Sequence, residues 1–303
     1  MTGSPTSAPG RPFGRVLTAM ITPFDRDGAL DLDKAQELAA RLVDLGHDGL
    51  VVNGTTGESP TTTEGEKAEL VRAVVDAVGD RATVVSGAGS YDTAHSVRQV
   101  QLIEKAGAHG ILSVTPYYSR PPQAGVYAHF RAVADATGLP VMLYDIPARA
   151  VVPIEVDTIR QLADHPRIVA VKDAKGDLLA GSEVISGTDL ALYSGDDPLN
   201  LPWLSVGAVG MVSVIGHVVG HRLRAMVEAV EADDLAGARA VHNELLPLHR
   251  AMAAIGGVIF AKTALRLTGI DVGEPRLPLV PATAEQTAML ADVLRSLGLE
   301  VAA

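Results

Sequence analysis

Ile168-Val169-Ala170-Val171-Lys172 is an unbroken apolar run that ends on an amine. Apolar residues at consecutive positions, rather than at every second one, mark a strand covered on both faces, which is the habit of parallel sheets. Similar runs recur on both sides of it: Val16–Ile21, Gly49–Asn53, Thr83–Ser86, Gly110–Val114, Pro140–Tyr144, Leu190–Ser194 and Val209–Val214. Between them lie segments of helical period, among them Lys34–Leu45, Glu64–Val78, Ala94–Lys105, Gln123–Ala136 and Val156–Ala163. Gly46, Gly79, Gly107 and Gly138 follow four of these, where a left-handed residue is expected to end the helix.

Eight strand–helix units of this kind predict an α/β fold, a (β/α)8 barrel filled by its own side chains. An open doubly wound sheet would need a glycine-rich turn after its first strand. The nearest approach, Gly87-Ala88-Gly89-Ser90-Tyr91-Asp92, lacks the third glycine and follows the third strand. Beyond the eighth strand, helical segments near Leu223–Val230, Asp234–Ala253, Val258–Leu267 and Ala284–Leu297 exceed what a barrel needs and predict a C-terminal helical appendage. The expected division is a disordered tail at 1–12, a catalytic barrel at 13–230 and a helical domain at 231–303.

The 303 residues are 47% hydrophobic and 20% charged, enough chain for a barrel-sized core. The absence of cysteine excludes disulfides, a thiolate nucleophile and Cys-ligated metal. A net charge of -11 with no basic cluster argues against nucleic acid as a partner. Pro198 to His221 carries no Asp, Glu, Lys or Arg, but Asn200, Pro202, Ser205 and its glycines break it up, which predicts a short helix and a buried strand rather than a membrane span. With no secretory signal at the start, a cytoplasmic location is expected.

An amine at the mouth of a buried strand has lost much of its hydration, and that loss favours the neutral form that attacks carbonyls. Lys172 is therefore a candidate Schiff-base lysine; the plainer reading is a stem packed on the strand with its head in water or paired with Asp173. Barrel enzymes draw their chemistry from the C-terminal ends of the strands. Those ends read Thr22-Pro23, Gly54-Thr55-Thr56-Gly57-Glu58, Thr115-Pro116-Tyr117-Tyr118, Tyr144-Asp145-Ile146-Pro147-Ala148-Arg149, Lys172-Asp173 and Ser194-Gly195-Asp196-Asp197. Turn and cap chemistry explains single clusters, as the Thr63/Glu66 capping box does for its helix, but not hydroxyls, an arginine and a lysine gathered at one end. Gly54-Thr55-Thr56-Gly57 can cradle a small carboxylate on backbone N–H groups. Tyr144, Thr55 and Tyr118 can pass protons along hydroxyls, and Arg149 can bind a second carboxylate bidentately.

Taken together, these motifs resemble the dihydrodipicolinate synthase family of lysine-dependent class I aldolases, over a match from about Val16 to the C-terminus. The resemblance implies a lyase that condenses pyruvate with L-aspartate 4-semialdehyde, the first committed step of diaminopimelate and lysine biosynthesis, without a cofactor. It implies Lys172 as the imine lysine and Tyr144 as proton shuttle, linked by Thr55 to a Tyr118 that reaches a neighbouring subunit. Thr55 and Thr56 would hold the pyruvate carboxylate and Arg149 that of the semialdehyde, with Gly195 and the Val212 carbonyl facing the site. A homotetramer built as a dimer of dimers is implied as well. The chain departs from many members at Asp145, where they carry Asn, at Ala150, and at Gly256-Gly257-Val258-Ile259. Where lysine-inhibited members bind that effector, this chain has Glu64, Lys67, Tyr91 and His95 beside Ser59 and Tyr117, so weak or absent feedback is expected.

Two other readings stay open on the residues: a lyase or aldolase of sugar acids or other 2-oxo acids, and a non-catalytic barrel that binds a 2-oxo acid. Gly256 to Thr263 nearly fits a phosphate-binding loop, but Ala261 replaces a required glycine and no strand precedes it. His217 and His221 have metal-ligand spacing without a carboxylate to complete a set, and are read as cap or surface histidines.

Overall fold

The computed structural model describes residues 10–302. Eight parallel strands close on themselves: β1 (Val16–Ala19), β2 (Gly49–Val52), β3 (Thr83–Gly87), β4 (Gly110–Val114), β5 (Val141–Asp145), β6 (Ile168–Asp173), β7 (Ala191–Ser194) and β8 (Gly210–Ser213). The seam is β1 on β8, with Leu17 opposite Val212. Around the sheet run α1 (Leu32–Asp44), α2 (Glu64–Val78), α3 (Thr93–Lys105), α4 (Gln123–Asp135), the short α5 (Pro147–Ala150), α6 (Val156–Ala163), α7 (Leu178–Gly187), α8 (Asn200–Ser205) and α9 (Gly216–Glu231). The appendage is α10 (Leu235–Ile255), α11 (Gly257–Leu267) and α12 (Ala284–Ser296).

The continuous apolar runs divide by parity. Leu17, Val51, Val85, Leu112, Met142, Ala170 and Val212 point into the barrel, while their neighbours Val16, Leu50, Val84, Ile111, Val141, Val171 and Met211 pack beneath the helices. Phe13 and Tyr193 fill the floor, where the Tyr193 hydroxyl donates to the Gly14 carbonyl at 3.0 Å. The same parity sends Tyr144 inward and Asp145 outward, which decides their roles below.

The segment 198–221 is the expected short helix and strand, α8 and β8. Among the described residues, no helix is long and apolar enough to cross a membrane. The helical segment near Leu223–Val230 is the end of the longer α9, which starts directly after β8 and closes the barrel rather than adding to it. α9 lies so close to His47 that a Cβ at Gly220 would come within 2.2 Å of its ring. Helix α7 carries a glycine for the same kind of reason: a Cβ at Gly181 would fall 2.2 Å from the Trp203 indole.

The glycine expectation holds in part. Gly46 and Gly107 are left-handed, both at φ +96, whereas Gly79 stays right-handed at φ -64, ending α2 by donating to Val75 O. Gly138 has no left-handed φ either; its N–H is taken by the Glu104 carboxylate at 3.1 Å. Of the expected tail, residues 1–9 lie outside the described residues, and Arg11 pairs with Glu231 at 2.6 Å.

Candidate active site

Register sets the centre of the site. Tyr144 on β5 lies directly opposite Lys172 on β6, and Lys172 opposite Tyr193 on β7. Lys172 and Tyr144 are each 5% exposed, and the Lys172 Nζ lies 4.2 Å from the centroid of the Tyr144 ring. An aromatic face at that distance attracts a cation and keeps water from that side of the amine. Gly195, at the end of β7, is required by the lysine itself: a Cβ there would lie 3.0 Å from Lys172 Cε and Cγ and 2.9 Å from Asp173 O. The Tyr144 carbonyl is held by the Thr115 N–H at 3.1 Å and its hydroxyl at 3.0 Å.

Above β2, the Gly54-Thr55-Thr56-Gly57 turn is bracketed by two left-handed residues, Asn53 and Glu58, both at φ +56. Such backbone is costly outside glycine and persists only where the surroundings hold it. Asn53 is held by its side-chain amide, which donates to Lys67 O at 3.1 Å and Ser86 Oγ at 3.0 Å. Glu58 is buried, with Oε1 2.9 Å from Lys262 Nζ on α11 and Oε2 accepting the Arg276 N–H at 2.8 Å. Thr22, at the end of β1, donates to Gly57 O at 2.6 Å. The turn is thus fastened from β1, from α2 and from the appendage.

A cavity of about 610 Å³ opens over these strand ends, lined by Thr55, Tyr144 and Arg149 together with Asn53, Gln99 and Tyr117. Lys172 does not itself line the cavity but lies against the Tyr144 ring that does, Gly195 packs on the Lys172 stem, and Val212 points inward from β8. Thr56 is buried in the turn. Tyr118 stands apart: it is 85% exposed at φ +73. The hydroxyl chain is therefore not assembled within one copy of the protein. Ser59, Lys67, Tyr91 and His95 line the far side of the same cavity, where the Lys67 ammonium donates to Thr62 O at 2.8 Å and His95 meets Glu64 at 2.5 Å.

Several groups near the site carry structural work that the sequence reading passed over. Asp197 accepts from Asn200, Ser213, and the Val214 and Ile215 N–H groups, tying the end of β7 to the end of β8. Lys262, inside the near phosphate-loop motif, is the buried partner of Glu58. His217 is not a cap or surface residue: it is fully buried, its Nε2 accepts the Ile21 N–H at 3.1 Å, and burial lowers its pKa to about 4. His221 is exposed, and no group of residues suited to hold a metal occurs among the described residues.

Outside the barrel wall, Asp145 is completely buried. Burial raises its carboxyl to about 6 against the pull of Lys175, whose Nζ lies 3.2 Å away. Burial likewise raises Asp173, and Asp196 with help from the neighbouring Asp197.

Comparison with known proteins agrees with this architecture. The model of the dihydrodipicolinate synthetase family matches residues 12–297. The 4-hydroxy-tetrahydrodipicolinate synthase of Mycolicibacterium paratuberculosis is 61% identical, over 95% of this chain and 96% of its own. That enzyme's namesake numbered 2 in Streptomyces coelicolor is 59% identical over 98% and 100%. Among solved structures, the Bacillus anthracis dihydrodipicolinate synthase DapA-2 superposes with a TM-score of 0.92 at 44% identity, covering 94% of this chain and 98% of that one. A lysine-bound enzyme from Cyanidioschyzon merolae gives 0.93 at 43%, covering 95% and 99%. A match that spans the whole barrel and reaches into α12 leaves no part of the fold unaccounted for, and the chain belongs to the dihydrodipicolinate synthetase family.

Proposed function

We infer that this protein is a 4-hydroxy-tetrahydrodipicolinate synthase, a lyase that joins pyruvate to L-aspartate 4-semialdehyde. The observation that carries the reading is the Lys172 amine against the face of Tyr144, beside a cavity that also presents Thr55 and Arg149. The near-60% identity to named synthases over almost the full chain supports the choice of substrates over those of other 2-oxo acid aldolases.

In the proposed reaction the Lys172 amine attacks the pyruvate ketone, and water leaves as the imine forms. Loss of a methyl proton gives the enamine, whose carbon attacks the aldehyde of the semialdehyde. The amino group of that second substrate then adds to the imine carbon and displaces Lys172 as the ring closes. Tyr144 is assigned the proton transfers and Thr55 the link outward, since both line the cavity. Thr55 and Thr56, with the N–H groups of their turn, take the pyruvate carboxylate. Exposed Arg149 takes the carboxylate of the second substrate bidentately. Gly195 leaves room for the lysine, and the Val212 carbonyl completes the wall.

The assembly proposed is a homodimer in which the exposed Tyr118 enters the neighbour's site, two dimers making a tetramer. The edge-on Tyr91–Tyr117 pair, centroids 5.4 Å apart, stands beside it with Tyr91 itself exposed, which supports a contact on that face. A cytoplasmic location and a division into barrel and appendage near residue 230, between α9 and α10, remain part of the same proposal.

Borohydride trapping with pyruvate, peptide mapping and a coupled turnover assay test the reading. A pyruvate adduct on Lys172 with turnover of aspartate semialdehyde is expected. An adduct without that turnover would transfer the activity to another 2-oxo acid, and no adduct would remove the catalytic assignment.

A further inference from the structure

We propose that buried Asp145, paired with the partly exposed Lys175, is a positioning device for the second substrate, closing the base of the loop that presents Arg149 and locking it to the strand that carries Lys172. The inference deepens the function proposed above and rests on it.

The strand parity that turns Tyr144 into the barrel turns Asp145 out, so the two adjacent residues serve the same site from opposite sides of the wall. Asp145 Oδ1 accepts the N–H of Ile154 at 3.1 Å. Residues 146–153 therefore form a loop whose two ends are joined by one carboxylate, and α5 with Arg149 lies inside it. Within the loop, backbone bonds from Arg149 and Ala150 to Ile146 O and from Val151 to Pro147 O close α5 alone. Val151 turns it at φ +73, a conformation that a β-branched residue adopts only under external constraint. A second brace comes from α4, where Gln123 donates to Pro153 O at 2.9 Å and accepts the Glu155 N–H at 3.1 Å.

The other carboxylate oxygen faces Lys175 at 3.2 Å. Lys175 is presented by a turn built directly after the catalytic strand: Asp173 Oδ1 accepts the N–H groups of Lys175 and Gly176 at 2.9 and 2.8 Å. The Asp145 carbonyl also accepts the Ala174 N–H at 2.9 Å. The Arg149 loop and the turn that follows Lys172 are thus tied to each other through Asp145. An apolar pair of similar size would serve stability as well as an ion pair does, so the use that sets this carboxylate apart is to take the directional Ile154 N–H bond on one oxygen while the charge of Lys175 holds the other.

The test compares wild type with Asp145→Asn, Lys175→Met and the double variant. Each is measured for kcat, for KM with both substrates, for the rate of borohydride-trapped pyruvate adduct on Lys172, and for the urea midpoint. Because Asp145→Asn is nearly isosteric, and the double variant leaves no unpaired charge, at least one of the set is expected to fold. The expected result is a KM for aspartate semialdehyde raised about tenfold or more, since small misplacements of a binding group have such effects. The pyruvate KM and the trapping rate stay within about twofold, and the double variant is no worse than the poorer single one. An unchanged semialdehyde KM in folded variants overturns the inference. So does a uniform loss in both KM values, trapping and urea midpoint, which would make the pair merely structural. Wild type that traps pyruvate but does not turn over the semialdehyde overturns the function itself, and this inference with it.

Discussion

The Glu58 carboxylate and the Lys262 ammonium meet at 2.9 Å with side-chain exposures of 1% and 3%, joining the Gly54–Gly57 turn to α11. Both Lys262 and Arg276 also lie over the Phe24 ring, at 4.3 and 4.1 Å from its centroid. Removing one member of a buried pair strands the other charge, which typically costs about 3–5 kcal/mol. Lys262→Met is expected to lower stability by that amount and to raise the pyruvate KM, while Glu58→Gln combined with Lys262→Met restores most of the stability. Urea unfolding and pyruvate titration check this; a stable Lys262→Met variant with normal pyruvate KM would refute the brace.

Gly195→Ala should suppress the lysine chemistry. The added methyl would sit 2.9 Å from Asp173 O and 3.0 Å from Lys172 Cε, so the amine has to move. A fall of about tenfold or more in trapped pyruvate adduct is expected, read by intact mass. Full adduct formation would show that Lys172 has another place to go.

Tyr118→Phe should cut turnover by about tenfold or more, the usual range for losing a proton relay. The 85% exposure of Tyr118 within one copy adds a second signature. Mixed oligomers of Tyr118→Phe and Lys172→Ala chains should recover activity at sites that pair an intact lysine with a partner's intact tyrosine. A wild-type rate in Tyr118→Phe, or no recovery in mixtures of a less active variant, would count against the relay or the sharing of sites respectively.

L-Lysine should inhibit weakly or not at all. Lys67 and His95 line the cavity at positions where the resemblance puts the effector's binding residues, and the Glu64 carboxylate is already engaged by His95. Half-inhibition below about 1 mM, a binding free energy of roughly -4 kcal/mol, would overturn this expectation. Initial rates over a lysine series supply the measurement.

Acid should destabilise the protein before its carboxylates are exhausted. Burial holds His47, His129 and His217 each near pKa 4 in the fold, against 6.5 as the ordinary value. Unfolding lets them protonate, so their contribution is complete above pH 6.5 and is lost as pH falls towards 4. Asp145 works the other way: raised to about 6 from 3.8, it takes up its proton first in the fold and offsets one histidine. Asp173 and Asp196, also raised by burial, act in the same sense as Asp145, while His109, His221 and His249, also lowered, add to the loss, so the histidines outnumber the carboxylates that offset them and the net slope is positive with pH. Urea midpoints at pH 7, 6 and 5 should fall progressively, and a flat series would contradict the burial of these rings.

The strands were legible because buried parallel strands are apolar at every position, and the helices because their apolar faces repeat. Lys172 and Tyr144 stood out for the same reason: each interrupts such a strand at its mouth. What stayed hidden was pairing. Asp145 reads as a turn residue and Lys175 as a surface cation until β5 and β6 are laid side by side. Lys262 lies in an apolar helix whose start nearly matches a phosphate loop, and nothing in that stretch names Glu58, 204 residues upstream, as the carboxylate it meets. The burial of His217 depends on α9 packing against β1, which the pattern of the short stretch after β8 does not reveal.

The Arg276 N–H that Glu58 accepts lies 218 residues downstream of it. A growing chain therefore completes all eight strands before Lys262 and Arg276, the groups that hold the Glu58 end of the threonine turn, exist. The roughly sixty residues between the end of β8 and Arg276 take about 3–13 s at 5–20 residues per second. The order of synthesis thus sets an order of maturation: the strands of the barrel come first, and the turn after β2 is fastened at its Glu58 end only once α11 and the segment that follows it have been made.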